Sequence, residues 1–291
     1  MPPDSLTPAP HAADQDMVSR DTAASLLWSR YRDAAAPAPL VWNDIIATLL
    51  GHRSIRSFLP TPLRPGTLDL LVAAAQSAAT SSNLQAWSVV AVEDPTRRSR
   101  LSKLAGSQKH VAEAPLFLVW LADLARLADI ATSEGVEIEG IHYLELLLVG
   151  IIDAALAAQN AVVALESLGL GAVYIGAIRN NLEAVAAELA LPPLVMPVFG
   201  LCVGHPDPAV ATDIKPRLPQ EVMLHRETYA ADSKLDALAR YNAALSSFQR
   251  EHNLAVEGWT GKVTERVRSP ASLSGRHRLG QALRNLGFQL R

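Results

Sequence analysis

A single cysteine, Cys202, stands in 291 residues. No internal disulfide can form and no cysteine-clustered metal site can be built, which fits a reducing compartment. Aromatic residues are only 5% of the chain against 49% hydrophobic residues overall. The core must therefore be aliphatic and alanine-rich, a composition suited to helices packed on a sheet. Charge of either sign is scarce at 19%, and the formal net charge of −3 argues against a nucleic-acid-binding surface. G-x-G-x-x-G, G-x-x-x-x-G-K-[ST], G-x-S-x-G and H-E-x-x-H are all missing, and the eight histidines lack the spacing of zinc ligands. Without a triad, a metal cluster or a P-loop, hard chemistry is expected from a bound cofactor and not from side chains alone.

Long apolar runs are also few. The one membrane candidate, Leu144 to Leu168, contains Glu145, Asp153, Gln159 and Asn160, which are costly in hydrocarbon. It is expected to be buried in a core or at a subunit interface. The opening MPPDSLTPAPHAADQD has no basic start followed by an apolar stretch, so it does not read as a secretory signal. A cytoplasmic protein without membrane or nucleic-acid partners is expected.

At this length the chain has room for one large domain or two small ones, with ample core. Residues 1–41 read as an extension: Pro- and Ala-rich and disordered to about Asp14, a helix over Met17–Tyr31 anchored by Leu26, Leu27 and Trp28, and a linker over Ala34–Pro39. Residues 42–291 read as the main domain with a C-terminal helical arm. Helices are predicted from the Asn43 cap to Leu50, over Thr67–Gln76, Thr96–Leu104, Ile141–Leu168, Leu182–Leu189 and Asp232–Arg250, with another short one near the end. Asp123 is expected to cap a further helix. Strands are predicted over Trp87–Val92, Pro115–Leu121, Ala172–Ile175 and Met196–Gly204. Strands between helices throughout make the class α+β or α/β.

Two stretches carry the chemistry. Gly51-His-Arg-Ser-Ile-Arg-Ser-Phe58 puts a histidine and two arginines within five positions. Arg53 and Arg56 would share a face on a helical turn and oppose each other in a strand. Arginine suits phosphate because its planar fork donates two parallel hydrogen bonds. Thr80-Ser-Ser-Asn-Leu-Gln-Ala-Trp87 offers short hydroxyl and amide groups that match the edge of a heterocycle or a ribityl chain. Taken singly, the first also reads as a solvated basic turn and the second as a loop or helix cap.

Together with later segments these stretches resemble the FMN-dependent nitroreductases, in the branch of oxygen-insensitive NADPH nitroreductases and flavin reductase P. The matching segments are His52–Phe58, Thr80–Gln85, Gly106–Val111, Ala114-Pro115, Gly169–Asn180, Gly200–Gly204, and Lys215–Pro219 with His225 and Tyr229. The resemblance implies a homodimer with an α+β sandwich fold, a central, mostly antiparallel sheet flanked by helices, and FMN at the dimer interface. It assigns FMN contacts to His52, Arg53, Ser54, Ile55 and Arg56, to Thr80, Ser81, Ser82, Asn83 and Gln85, and to Gln108. It further assigns the ring-lining backbone to Tyr174, Ile175, Gly176 and Ala177, and the phosphate to Lys215 and Arg217. The family often has a second glycine at the position of Ala177. The basic arm that the branch uses for NADPH is thin here, leaving Arg250 as its candidate. The activity implied is ping-pong hydride transfer from NADPH or NADH through FMN to nitroaromatics, quinones or flavins. A non-catalytic FMN-binding sensor is the alternative, and a dehalogenating or flavin-cleaving enzyme ranks lower.

Overall fold

The computed structural model describes residues 12–32 and 41–291. The linker expected over Ala34–Pro39 lies outside them, as does the start expected to be disordered, except that residues 12–14 belong to helix α1 (Ala12–Tyr31). Along the chain follow α2 (Asp44–Leu50), α3 (Thr67–Gln76), β1 (Trp87–Val92), α4 (Pro95–Leu104), α5 (Lys109–Glu113), β2 (Leu116–Asp123), α6 (Ala125–Ser133), α7 (Leu144–Ser167), β3 (Gly171–Ile175), α8 (Leu182–Glu188), β4 (Val195–Gly204), α9 (Gln220–Met223), α10 (Leu235–Glu251), α11 (Trp259–Val267) and α12 (Leu279–Asn285). The chain divides into two compact units, residues 1–53 with 213–265, and residues 54–212 with 266–291. Helix α1 falls in the same compact unit as α2 and α10.

In the larger unit the four strands form one fully antiparallel sheet in the order β1-β2-β4-β3. Strand β2 is a continuous apolar run because both its faces are covered. Leu116, Leu118 and Trp120 pack with Leu71 and Ala75 of α3 and Ala157, Ala161 and Leu165 of α7. Phe117, Val119 and Leu121 pack on the other face with Leu101, Val111 and Val185. The result is a three-layer α+β sandwich, as the family resemblance implies; the strand and helix pattern alone leaves α/β open. Pro197 is tolerated inside β4 because the register slips there. Trp120 pairs with Phe199 and Leu121 with Pro197, so Val198 is bulged out of the ladder.

The outer side of β3 is closed by the extended segment at Ser54–Ile55. Ser54 forms a parallel bridge with Ala172, and the Ile55 N–H donates to the Ala172 carbonyl at 2.9 Å. Only glycine allows this seating at position 171, since a Cβ there would lie 2.5 Å from Ile55 Cγ1.

The long helix begins at Leu144 and not at Ile141, because Gly140–His142 form a separate 3-10 turn. It is long and apolar enough to cross a membrane, yet half of its most apolar window is buried in the fold. What it leaves outside is a stripe four residues apart: Leu144, Leu148, Ile152 and Leu156, each 44–55% exposed. Asp123 does cap the next helix, accepting from the Arg126 N–H at 3.2 Å.

In the smaller unit the deepest described residues of α1 are Ala23 and Arg30, seven apart on one face. The expected anchors differ: Leu26 and Leu27 are half-buried and Trp28 is 52% exposed. Helix α1 is tied to α10 through Arg32, which meets the Glu251 carboxylate at 2.8 Å and lies over the Phe248 ring.

Candidate functional site

The expected residues fall in both units, and each set is described within its own. In the larger unit Ser54, Ile55 and Arg56 run extended. Ile55 is 3% exposed and its N–H is committed to Ala172, so its side chain and N–H anchor the segment. Arg56 is exposed and acts electrostatically on His110.

The Thr80–Gln85 loop contains a 3-10 turn, Ser81–Asn83, with Ser82, Asn83 and Gln85 all in the left-handed region at φ of 48–55°. Three such residues without glycine require outside support. Asp153 of α7, 1% exposed, supplies it. Its carboxylate accepts from the Thr80 hydroxyl at 2.6 Å, the Ala86 N–H at 3.0 Å and the Ser81 N–H at 3.3 Å. The Thr80 hydroxyl also accepts from the Gln85 N–H at 2.9 Å. Thr80 is thus spent on the loop itself, whereas Ser81 and Ser82 are exposed. Asp153 was not legible as a site residue: in sequence it is one polar interruption of an apolar run.

Gln108 precedes α5, half-buried. Its side-chain oxygen lies 3.0 Å from His110 Nε2, so a proton on that nitrogen leaves the Gln108 amide N–H groups as outward donors. Burial, and then the Arg56 charge, hold His110 below the ordinary imidazole range. The neutral form is the one favoured in the fold, and its contribution to stability is lost as pH falls below the ordinary histidine value.

Strand β3 ends at Ile175, and Gly176 and Ala177 open a 3-10 turn. A Cβ on Gly176 would meet nothing nearer than Arg179 Nη2 at 3.5 Å and Arg276 Nη1 at 3.8 Å. The backbone there is open to close approach, bounded by guanidinium groups and not by core. Tyr174 is 37% exposed on an otherwise buried strand and stands edge-on to Phe199. Arg179, Arg266 and Arg276 form a cluster that the sequence reading missed, since they come from three separate segments. Burial lowers Arg179 and Arg276, and mutual repulsion with Arg266 adds to it. Among the described residues the three hydrogen-bond to backbone carbonyls of Val198, Ser272 and Leu273 and to no carboxylate. The lone thiol takes no part: Cys202 lies fully buried in β4, and burial pushes it up, away from thiolate chemistry.

In the smaller unit His52 is half-buried, and Arg53, Lys215 and Arg217 are exposed. The Lys215-Pro216-Arg217 loop is held at three consecutive backbone groups. The Lys215 carbonyl accepts from Arg30 Nη1 at 3.1 Å, the Pro216 carbonyl from the Tyr241 hydroxyl at 3.2 Å, and the Arg217 N–H donates to the Arg30 carbonyl at 2.8 Å. Arg250 lies in the last turn of α10, exposed and without a side-chain hydrogen bond or ion pair among the described residues. There the negative end of the helix dipole favours a cation by itself.

Residues 49–205 match the nitroreductase family and residues 215–291 match the nitroreductase family's C-terminal domain. The chain belongs to the nitroreductase family. It is 42% identical over 226 residues to FMN reductase (NADPH) of Bacillus subtilis, covering 76% of this chain and 90% of that protein. It is 41% identical over 248 residues to the oxygen-insensitive NADPH nitroreductase of Salmonella typhimurium, covering 83% of this chain and all of that one. The solved NADPH:FMN oxidoreductase of Vibrio harveyi, complexed with NAD+, superposes with a TM-score of 0.76 at 34% identity over 86% of this chain and all of that chain. Within this nitroreductase the start of the Thr80–Gln85 loop hangs on the Asp153 carboxylate, while its end is held by Arg126, which donates to the Gln85 carbonyl at 2.6 Å.

Asp153→Asn keeps the shape but removes an acceptor. It is expected to cost about 1–3 kcal/mol of stability, the cost of leaving a buried N–H unsatisfied. Urea denaturation with amide exchange at Ser81 and Ala86 checks it: the two amides should lose protection ahead of the β2 amides. Equal protection in both variants would put the loop's support elsewhere.

Proposed function

We propose that this nitroreductase binds FMN and transfers hydride from NADPH, or from NADH, to small electron acceptors such as nitroaromatics, quinones and free flavins. The observation that carries the reading is the Lys215–Arg217 loop, exposed, basic and fixed at three successive backbone groups. Such a loop offers charge-assisted donors to a phosphate without being ordered first, which is how preorganisation raises affinity. The donor set fits the cofactor: His52, Arg53, Lys215 and Arg217 are assigned to its phosphate. Ser81, Ser82, Asn83, Gln85 and Gln108 are assigned to its polar edge, and the backbone of Tyr174–Ala177 to its ring. The flavin, when bound, supplies the two-electron relay between coenzyme and acceptor. The chain's own groups bind, orient and exclude water, and no side chain is assigned as acid or base. A flavin-binding sensor finds no support in relatives whose names are those of enzymes.

We assign the coenzyme's extra phosphate to Arg250, and we place the protein in the cytoplasm, where a buried thiol stays reduced. The family's members act on small molecules and are generally dimers, and the α7 stripe of Leu144, Leu148, Ile152 and Leu156 supplies an apolar face for a second copy.

The protein should purify yellow, release FMN on denaturation, and bleach with NADPH in the absence of oxygen. Arg217→Ala removes a charge-assisted contact of about 1.5–3 kcal/mol, hence roughly ten- to a hundredfold in FMN affinity, read by fluorescence quenching. An unchanged dissociation constant would place the phosphate elsewhere. For the coenzyme, Arg250→Ala should raise KM for NADPH and spare NADH, with a loss of about 1–2 kcal/mol, or roughly five- to thirtyfold in kcat/KM. Small equal effects on both coenzymes would move that contact away from Arg250, the Arg179–Arg266–Arg276 cluster being the next place to test. Light scattering should give about twice the 31.2 kDa chain mass, and the pair Leu148→Asp with Ile152→Asp should bring it down to one. A variant that stays dimeric would separate the interface from this stripe.

A further inference from the structure

We propose that Arg30, on the helix preceding the family-matched region, is a positioning residue for the flavin phosphate. Its guanidinium holds His52–Arg53 and Lys215–Arg217 in one fixed relation. The proposal rests on FMN being the ligand of this nitroreductase.

Arg30 is 6% exposed. One of its terminal nitrogens donates to the Leu50 carbonyl at 2.7 Å and to the His52 carbonyl at 2.9 Å, and the other donates to the Lys215 carbonyl at 3.1 Å. The Arg30 carbonyl in turn accepts from the Arg217 N–H at 2.8 Å. One residue therefore ties the two basic segments assigned to the phosphate by three hydrogen bonds, with a fourth to Leu50 at the end of α2, although they lie far apart in the chain. None of those bonds uses the side chains of His52, Arg53, Lys215 or Arg217.

The geometry of the peptide unit gives this grip a direction. In a trans peptide the N–H points opposite to the preceding carbonyl. Holding the His52 carbonyl on Arg30 turns the Arg53 N–H the other way, and holding the Lys215 carbonyl fixes the plane of the peptide entering Pro216. Two like-charged segments would otherwise repel and be disordered relative to one another, and a phosphate would have to order both on binding. A planar fork with several donors suits this task, whereas a lysine ammonium is a point charge. Helix α1 is itself held in place by Arg32, through Glu251 and Phe248. Arg30 also sits in its last turn, where the helix dipole favours a cation.

A simple structural staple would hurt all flavin binding, or the fold, alike. A positioning role must act on the phosphate alone. The test is titration of flavin-free protein with FMN and with riboflavin, which lacks the phosphate, for wild type, Arg30→Lys and Arg30→Gln. Melting temperatures establish that each variant is folded. Both variants are expected to lose FMN affinity about tenfold or more with riboflavin affinity unchanged, so the ratio of the two falls. Combined with Arg217→Ala, the loss from Arg30→Lys should be smaller than in the wild-type background, because the loop it positions then carries less of the contact. An unchanged ratio in a folded variant, equal losses for the two flavins, or strictly additive effects would overturn the proposal. Failure of both variants to fold would do so as well, leaving Arg30 a staple. A wild-type protein that binds riboflavin as well as FMN would overturn the phosphate reading itself, and that result is visible before any variant is made.

Discussion

The close approach of α7 to the sheet is the constraint on which the larger unit depends. Strands β2 and β4 carry large apolar side chains on both faces, so a helical layer must lie flat against each. On one side α7 does so with a face of small residues, Gly150, Ala154, Ala157, Ala158 and Ala161. A Cβ on Gly150 would already sit 3.0 Å from the Ala86 carbonyl and 3.1 Å from the Ala122 Cβ. This tightness has a chemical consequence. Asp153 lies one turn further along, and only a helix this close brings its carboxylate to the Ala86 and Ser81 N–H groups. Small residues on a helix thus decide how Ser81 and Ser82 are presented.

Much of this was legible in advance because it is local. Period and punctuation placed the four strands and the long helices, and the apolar run of β2 announced a strand buried on both faces. The boundaries that slipped did so for definable reasons. The long helix starts three residues late because Gly140–His142 wind more tightly, and β4 keeps a proline because Val198 bulges. Resemblance, not period, located the candidate site.

What was not legible is tertiary. Leu26, Leu27 and Trp28 look like the anchors of α1, since hydropathy ranks them first. The fold instead buries Ala23 and Arg30, because the neighbouring surface is a set of backbone carbonyls that a guanidinium can satisfy and a leucine cannot. Asp153 reads as a flaw in an apolar helix for the same reason: its partners are N–H groups some seventy residues away. The three arginines near Gly176 come from segments with no common motif, so no spacing could have joined them.

Arg30 and Asp153 solve one physical problem with opposite charges. A loop that must show polar groups to a ligand cannot also be pinned by burying apolar side chains, for its sequence is already committed outward. Its backbone can be pinned from behind. An anion placed there gathers N–H groups, as Asp153 does for the Thr80–Ala86 loop. A cation gathers carbonyls, as Arg30 does for the segments at His52 and Lys215. Burying either charge is costly unless several hydrogen bonds compensate it. That requirement makes the arrangement specific. A displaced loop would leave the ion unsatisfied, so the buried charge selects one loop geometry over its neighbours more sharply than apolar contact would.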